Sequence, residues 1–297
     1  MRYRPFGATG KAVSAVSLLL REAPNMSVTS QWRQLAFAAM ESGVNCFEVA
    51  AGADVAALGM GEALRAVERR LIFLAWRLRG DPHGVLTAQA IAASVQDGLA
   101  KTAAGYFDLL MMDEAAFDTL APGALEYLDE LRGSGACLQV GVVGDGPAAD
   151  ASIASGVFDV LATPFSLVSD WQARRRIKDC SAANMTMIAY DPFPTSLARA
   201  PATQPLKRGL LGRGAAEPLA GAGTYAFLHQ TSGWTPEEIC LAYSLTEPAF
   251  ATMQVEAFRT DTVERLAGVP DRDLPTGVAA QIEMARFSAD LNEKRRA

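Results

Sequence analysis

The sequence predicts an α/β chain whose strands close into a (β/α)8 TIM barrel. Two observations carry this reading. Eight short apolar runs alternate with longer amphipathic stretches from end to end, and no early strand leads into a helix through a Gly-x-Gly-x-x-Gly turn. Continuous apolar strands separated by helices indicate a parallel sheet covered by helices. The missing glycine turn removes the main reason to prefer an open, doubly wound sheet. With 297 residues, 50% hydrophobic and 20% charged, the chain is read as one folded domain spanning 1–297, neither disordered nor fibrous.

Taken in order, Gly7-Ala-Thr-Gly10-Lys11 superficially suggests a phosphate loop, but it precedes a strand rather than a helix. It reads as the turn of an N-terminal hairpin closing the barrel bottom. Strands are expected at 15–20, 44–49, 71–76, 107–112, 138–143, 160–163, 186–190 and 251–255. Helical spacing of apolar residues marks 30–42, 88–104, 124–133, 171–183 and 236–245. Two of these helices have explicit starts. Thr87 precedes one, and Thr235-Pro236-Glu237-Glu238 supplies an N-cap, a proline at the first turn and acidic residues beside the positive end of the helix dipole. The stretch 192–225, rich in Pro, Gly, Ala and Arg, is expected as a long loop after strand seven, over the C-terminal mouth where barrel sites are built.

The 27 basic and 33 acidic residues leave a net charge of −6, so neither nucleic acid nor an anionic membrane is an expected partner. Cys46, Cys137, Cys180 and Cys240 lie far apart and read as core thiols; with only His83 and His229 to help them, no metal site is expected. His83 reads as a turn residue and His229 as a mouth residue without a partner. The apolar run 13–20 is too short to be a secretory or spanning segment, which points to a cytoplasmic protein with reduced thiols.

Several runs occur in one order and spacing: 4–14, Ala39-Met-Glu-Ser-Gly-Val-Asn-Cys-Phe-Glu48, Leu58-Gly-Met-Gly-Glu-Ala-Leu64, Tyr106-Phe-Asp-Leu-Leu110 and Leu128-Asp-Glu-Leu-Arg-x-Ser-Gly135. They continue with Phe158-Asp-Val-Leu-Ala-Thr-Pro-Phe165, Ile188-Ala-Tyr-Asp-Pro192, Gly209-Leu-Leu211 and Trp234-Thr-Pro-Glu-Glu-Ile-Cys-Leu-Ala-Tyr243. From Tyr3 to about Met284 the chain resembles the aldo/keto reductase superfamily. The resemblance implies a barrel that reduces carbonyls with NADPH through an Asp, Tyr, Lys and His tetrad. In that tetrad a tyrosine gives a proton to the carbonyl oxygen while a lysine lowers its pKa.

The matching positions depart from that pattern. The aspartate falls on Glu48, the tyrosine on Ala53 and the histidine on Asp113; the lysine falls on Trp76, or on Arg77 if the register slips by one. The serine–asparagine pair that holds the nicotinamide carboxamide reads Val143-Gly144, the sixth-strand glutamine reads Ala162, and the Gly-x-Arg phosphate loop reads Glu256-Ala-Phe-Arg259. The first strand's Gly-Leu-Gly reads Ser17-Leu-Leu19. Tyr190, which matches the ring that stacks on nicotinamide, and Arg259 are the retained cofactor-binding positions. No cofactor is expected, and NADP(H) if any.

The expected function is therefore a binding or regulatory protein, a pseudoenzyme that has lost NADPH-dependent carbonyl reduction. Its partner is an unknown small molecule at the mouth or another protein. Two alternatives stand beside it: a divergent NAD(P)H-dependent oxidoreductase, or a cofactor-free lyase or isomerase using mouth carboxylates. For the latter, Glu48 and Asp113 are the candidate catalytic pair. The bland reading of the same acids, with Glu22, Glu114, Asp145, Asp191 and Glu256, is a network neutralised by Arg21 and Arg77 that plugs a vacated pocket. Trp76 is expected to fill the volume of the lost lysine and tyrosine.

Overall fold

In a computed structural model, which describes residues 1–197 and 225–294 and the side chains up to 287, eight parallel strands close into a barrel. Chain order begins with β1 (Tyr3–Pro5) and β2 (Ala12–Ser14), an antiparallel hairpin outside the barrel. The first half of the barrel follows: β3 (Val16–Leu20), α1 (Thr29–Glu41), β4 (Cys46–Val49), α2 (Asp54–Leu64), β5 (Phe73–Arg77), α3 (Ala88–Thr102) and β6 (Phe107–Asp113). After α4 (Glu114–Asp118) and α5 (Ala124–Ser134) come β7 (Cys137–Val143), α6 (Pro147–Ser155), β8 (Val160–Pro164), α7 (Trp171–Ala182) and β9 (Thr186–Tyr190). The chain then reaches α8 (Pro236–Ser244), β10 (Phe250–Glu256), α9 (Thr260–Ala267) and α10 (Val278–Lys294). Strands β3 to β10 pair in sequence, and β10 closes against β3.

The expected strands and helix starts are found. Thr87 Oγ1 accepts from the Ala90 N–H at 3.0 Å, and Thr235 and Glu238 form a reciprocal capping box at the head of α8. Helix α2 gave no periodic signal because it is buried on most of its sides by Ala56, Ala57, Met60 and Leu64. Residues 198–224, including Gly209-Leu-Leu211 and most of the expected long loop, lie outside the described residues.

Two apolar layers follow from strand alternation. Facing the helices is the larger one, in which Leu74 and Trp76 of β5 meet Ile91 and Val95 of α3. Inside the barrel, Cys46, Phe73, Ala75, Leu109, Met111 and Ala162 form the second, capped from below by Phe6 and Val13 of the hairpin. Phe6 and Phe73 meet with ring centroids 4.2 Å apart. All four cysteines are buried, and no described helix is long and apolar enough to cross a membrane.

Beneath the barrel a buried carboxylate ties three segments together. Asp108, 1% exposed, accepts from the Leu74 N–H at 2.9 Å and from Arg69 at 2.8 Å, and it pairs with Lys11 of the hairpin turn. Arg69 also stacks over Tyr106, 4.1 Å from the ring centroid.

Candidate functional site

A cleft of about 700 Å³ opens at the C-terminal ends of the strands. Glu48 in β4, Arg77 and Asp113 at the ends of β5 and β6, Gly144 after β7 and Asp191 after β9 all lie at this end, as parallel strands require.

Strand alternation settles the register of β5. Phe73 and Ala75 point into the barrel, so Arg77 does as well, and Trp76 points to the helices. Trp76 therefore does not fill a vacated mouth. Its indole stacks on Phe107 at 5.4 Å and donates to Ser94 Oγ at 3.1 Å. Gly98 is part of that arrangement, because a Cβ there would come within 2.6 Å of the indole ring. Arg77, and not Trp76, is the β5 residue that reaches the cleft.

Arg77 lies between the two carboxylates singled out in the sequence. Its Nε donates to Glu48 Oε1 at 2.6 Å and its Nη1 to Asp113 Oδ1 at 2.7 Å. From β10, Gln254 Nε2 donates to the other Glu48 oxygen at 2.7 Å. Glu48 is 1% exposed, so both its oxygens are satisfied without water. Burial by itself would lower the pKa of Arg77; the charges and hydrogen bonds of Glu48 and Asp113 outweigh it and raise the pKa. Glu48 and Asp113 are thus two arms of one guanidinium clamp and do not face each other. Gln254 had not been foreseen; its signal was the inward parity it shares with Thr252 and Glu256 on β10.

Ala53, the position that the sequence resemblance matches to the tetrad's tyrosine, is buried at the start of α2. Tyr190 is the tyrosine that lines the cleft. Its hydroxyl has no hydrogen-bond partner among the described residues, and its pKa is pushed up to about 12 by burial first and then by Asp145, against the opposing charge of Arg77. A phenol serving as acid in carbonyl reduction needs the opposite shift. Next in the chain, Asp191 takes a left-handed backbone with φ 52°, and its carboxyl pKa is raised by burial and by Glu256.

Glu114, the first residue of α4, reaches across to the head of α6. Its carboxylate accepts from the N–H groups of Gly146 at 2.8 Å, Ala149 at 2.9 Å and Asp145 at 3.3 Å. The same carboxylate occupies the space beside Gly144, where an added Cβ would lie 2.1 Å from Glu114 Cγ. A side chain at 144 and Glu114 in this position exclude each other.

The remaining mouth charges are largely paired. Arg21 Nε donates to Glu256 at 2.6 Å, and Arg265 pairs with Glu237 at 2.7 Å. Arg259 is exposed and gives both hydrogen bonds to Asp261, at 3.0 and 2.6 Å. Glu22 is exposed at the rim and does not line the cleft, and His229 meets the Leu197 carbonyl at 3.2 Å instead of facing it. His83 lies exposed in a turn, its N–H on Asp81.

None of the curated proteins is detectably similar to this chain. Among solved structures, the aldo-keto reductase AKR11C1 from Bacillus halodurans, in its holo form, superposes with a TM-score of 0.72 at 18% identity. The match covers 97% of this chain and 96% of that one, a likeness of fold. A sequence model of the aldo/keto reductase family matches residues 27–286, which include the clamp, every cleft-lining residue but Leu19 and seven of the eight barrel strands. With that span matched on a barrel of the same architecture, this chain belongs to the aldo/keto reductase family.

Proposed function

We propose that this family member does not carry out NADPH-dependent carbonyl reduction and uses its barrel mouth to bind a small molecule, in a binding or regulatory role. The observation that carries this reading is the state of the proton donor. Ala53 offers none, and the phenol in the cleft, Tyr190, is shifted up to about 12 where reduction needs it lowered. Arg77 cannot act on Tyr190 as an unneutralised cation, because Glu48 and Asp113 already share its charge.

The residues also fit a nicotinamide dinucleotide poorly. Glu114 fills the space a side chain at 144 would need to reach the carboxamide, and its carboxylate takes up the head of α6. Glu256 places a carboxylate where the family has a phosphate loop, and Arg259 is held by Asp261. No step is therefore routed through such a cofactor. An acid–base role for Glu48 is opposed by its two occupied oxygens, whereas one Asp113 oxygen accepts from no donor among the described residues.

The test combines two measurements on the full chain. In a fluorescence titration with NADPH, the dissociation constant is expected to be about 100 μM or weaker, near −5.5 kcal/mol. Turnover of simple aldehydes with NADPH should be undetectable. Micromolar NADPH binding together with ready aldehyde reduction would overturn the reading.

A further inference from the structure

Outside the cleft, one surface brings unmatched positive charge together with exposed aromatic rings. Helix α7 contains four basic residues and one acid, in a chain whose net charge is −6. Two of the four are engaged: Arg176 is buried against Asp150 at 2.8 Å, and Arg175 pairs with Asp179 at 3.4 Å. Arg174 and Lys178, one turn apart on an exposed face, have no acidic partner among the described residues; Asp170, at the head of the helix, uses its carboxylate to accept from the Ala173 N–H at 3.0 Å. Arg174 Nη2 instead donates to the hydroxyl of Tyr243 in α8 at 3.5 Å, and Arg286 Nη1 of α10 donates to the same oxygen at 2.9 Å. Two guanidinium groups thus converge on one neutral oxygen, with Glu283 beside Arg286 at 3.1 Å as their one acidic partner among the described residues. Because both arginines use the Tyr243 oxygen as an acceptor, its proton is left to donate outward. Trp171, one turn before Arg174, is 65% exposed, and Phe287, next to Arg286, is 66% exposed. Tryptophan, tyrosine and arginine are the residues that carry most binding energy at protein interfaces, and the sign of the unmatched charge selects the partner.

We propose that this face of α7, with Tyr243 and Arg286 beside it, docks an acidic segment of another protein. A carboxylate of that segment is held by Arg174, Arg286 and the Tyr243 hydroxyl, and an apolar side chain packs on Trp171. The carboxylate accepts charge-assisted hydrogen bonds from both guanidiniums and offsets their mutual repulsion. Arg174 gives up little in turning to it, because its present contact is at the outer limit of a hydrogen bond. A basic or neutral segment leaves both cations unmatched. The inference goes beyond the function proposed above and does not depend on it, since none of these residues lines the cleft.

Fluorescence anisotropy with the full chain tests the proposal, using a short labelled peptide that alternates glutamate and leucine, and its counterpart with glutamine for glutamate. At low salt the acidic peptide should bind with a dissociation constant of about 0.1–1 mM and the glutamine peptide about tenfold more weakly or worse. Added salt should weaken the acidic peptide and leave the other unchanged. Arg174→Gln with Arg286→Gln should weaken the acidic peptide about tenfold, and Trp171→Ala about threefold. Arg174→Gln by itself carries the test where the double variant does not fold, because Arg174 is exposed and its side chain bonds to Tyr243 alone among the described residues. Arg175→Gln, which removes a cation already paired with Asp179, should change binding by less than about twofold. Equal binding of the two peptides, unaltered binding by the arginine variants or by Trp171→Ala, or no binding of the acidic peptide at about 5 mM would each overturn the inference. So would acetate that displaces the peptide at equal concentration, which would reduce the site to one for small anions, or tight binding to phosphatidylserine vesicles without binding of the peptide.

Discussion

The two ends of the barrel each contain a buried acid held by arginine, but with opposite stoichiometry. At the bottom, one carboxylate, Asp108, has two cations and a backbone N–H. At the mouth, one guanidinium, Arg77, serves two carboxylates, while the side-chain carboxylates of Asp145 and Asp191 have no ion pair or hydrogen bond among the described residues. The bottom cluster is closed: every charge has a protein partner, and its effect is to hold hairpin, β5 and β6 together. The mouth is open, with a 700 Å³ cleft over it. Similar chemistry makes a closed staple at one end and lines an open cleft at the other, and the difference is which sign of charge is left over among the described residues.

The bottom should show the largest stability loss. Asp108→Ala leaves Lys11 and Arg69 without their carboxylate and the Leu74 N–H without its acceptor, and is expected to cost about 3–5 kcal/mol in urea unfolding. A loss under about 1 kcal/mol would show that the bottom is no more closed than the mouth.

At the mouth, Arg77→Met strands Glu48 in the interior and is expected to cost about 3–5 kcal/mol by itself. Adding Glu48→Gln to the same chain should restore most of that, because the buried charge is gone. Failure of the second change to recover stability would mean that guanidinium packing, and not the buried charge, sets the cost.

Gly144→Ala places a Cβ against Glu114 and is expected to cost about 1–3 kcal/mol. In a Glu114→Ala background the same substitution should be nearly free, which a double-mutant cycle on unfolding midpoints reads directly. Additive losses would break the claim that the two side chains share one space.

The smallest effect is expected at Asp191. Its folded pKa is raised above its ordinary value, so the native chain binds the proton more tightly than the unfolded chain and stability falls as pH rises through that range. Asp191→Asn should therefore raise Tm slightly at neutral pH, and the gain should vanish below the ordinary aspartate range. A lower Tm at neutral pH would show that Asp191 has a stabilising partner.

Much of this molecule was legible in its residues. Alternation of apolar runs with helical spacing gives a closed barrel, because a parallel strand buried on both faces must be apolar throughout and its crossover must be a helix. Thr87 and Thr235 announced their caps because capping is local chemistry, complete within four residues. Ala53 and Asp113 match tetrad positions by motif spacing alone, and that match is part of the proposed function.

What only the tertiary structure decided was direction and company. Between Trp76 and Arg77, a one-residue slip exchanges core for cleft, and the sequence around them is apolar on either register; the inward set of Phe73 and Ala75 chooses Arg77. That Glu48 and Asp113 share one guanidinium, that Gln254 reaches Glu48 from across the barrel, and that Glu114 takes the space beside Gly144 are contacts between residues separated by 29 to 206 positions in the first two cases and by 30 in the third. Such pairings are fixed by barrel closure, which brings distant strand ends to one face, and no local pattern encodes them.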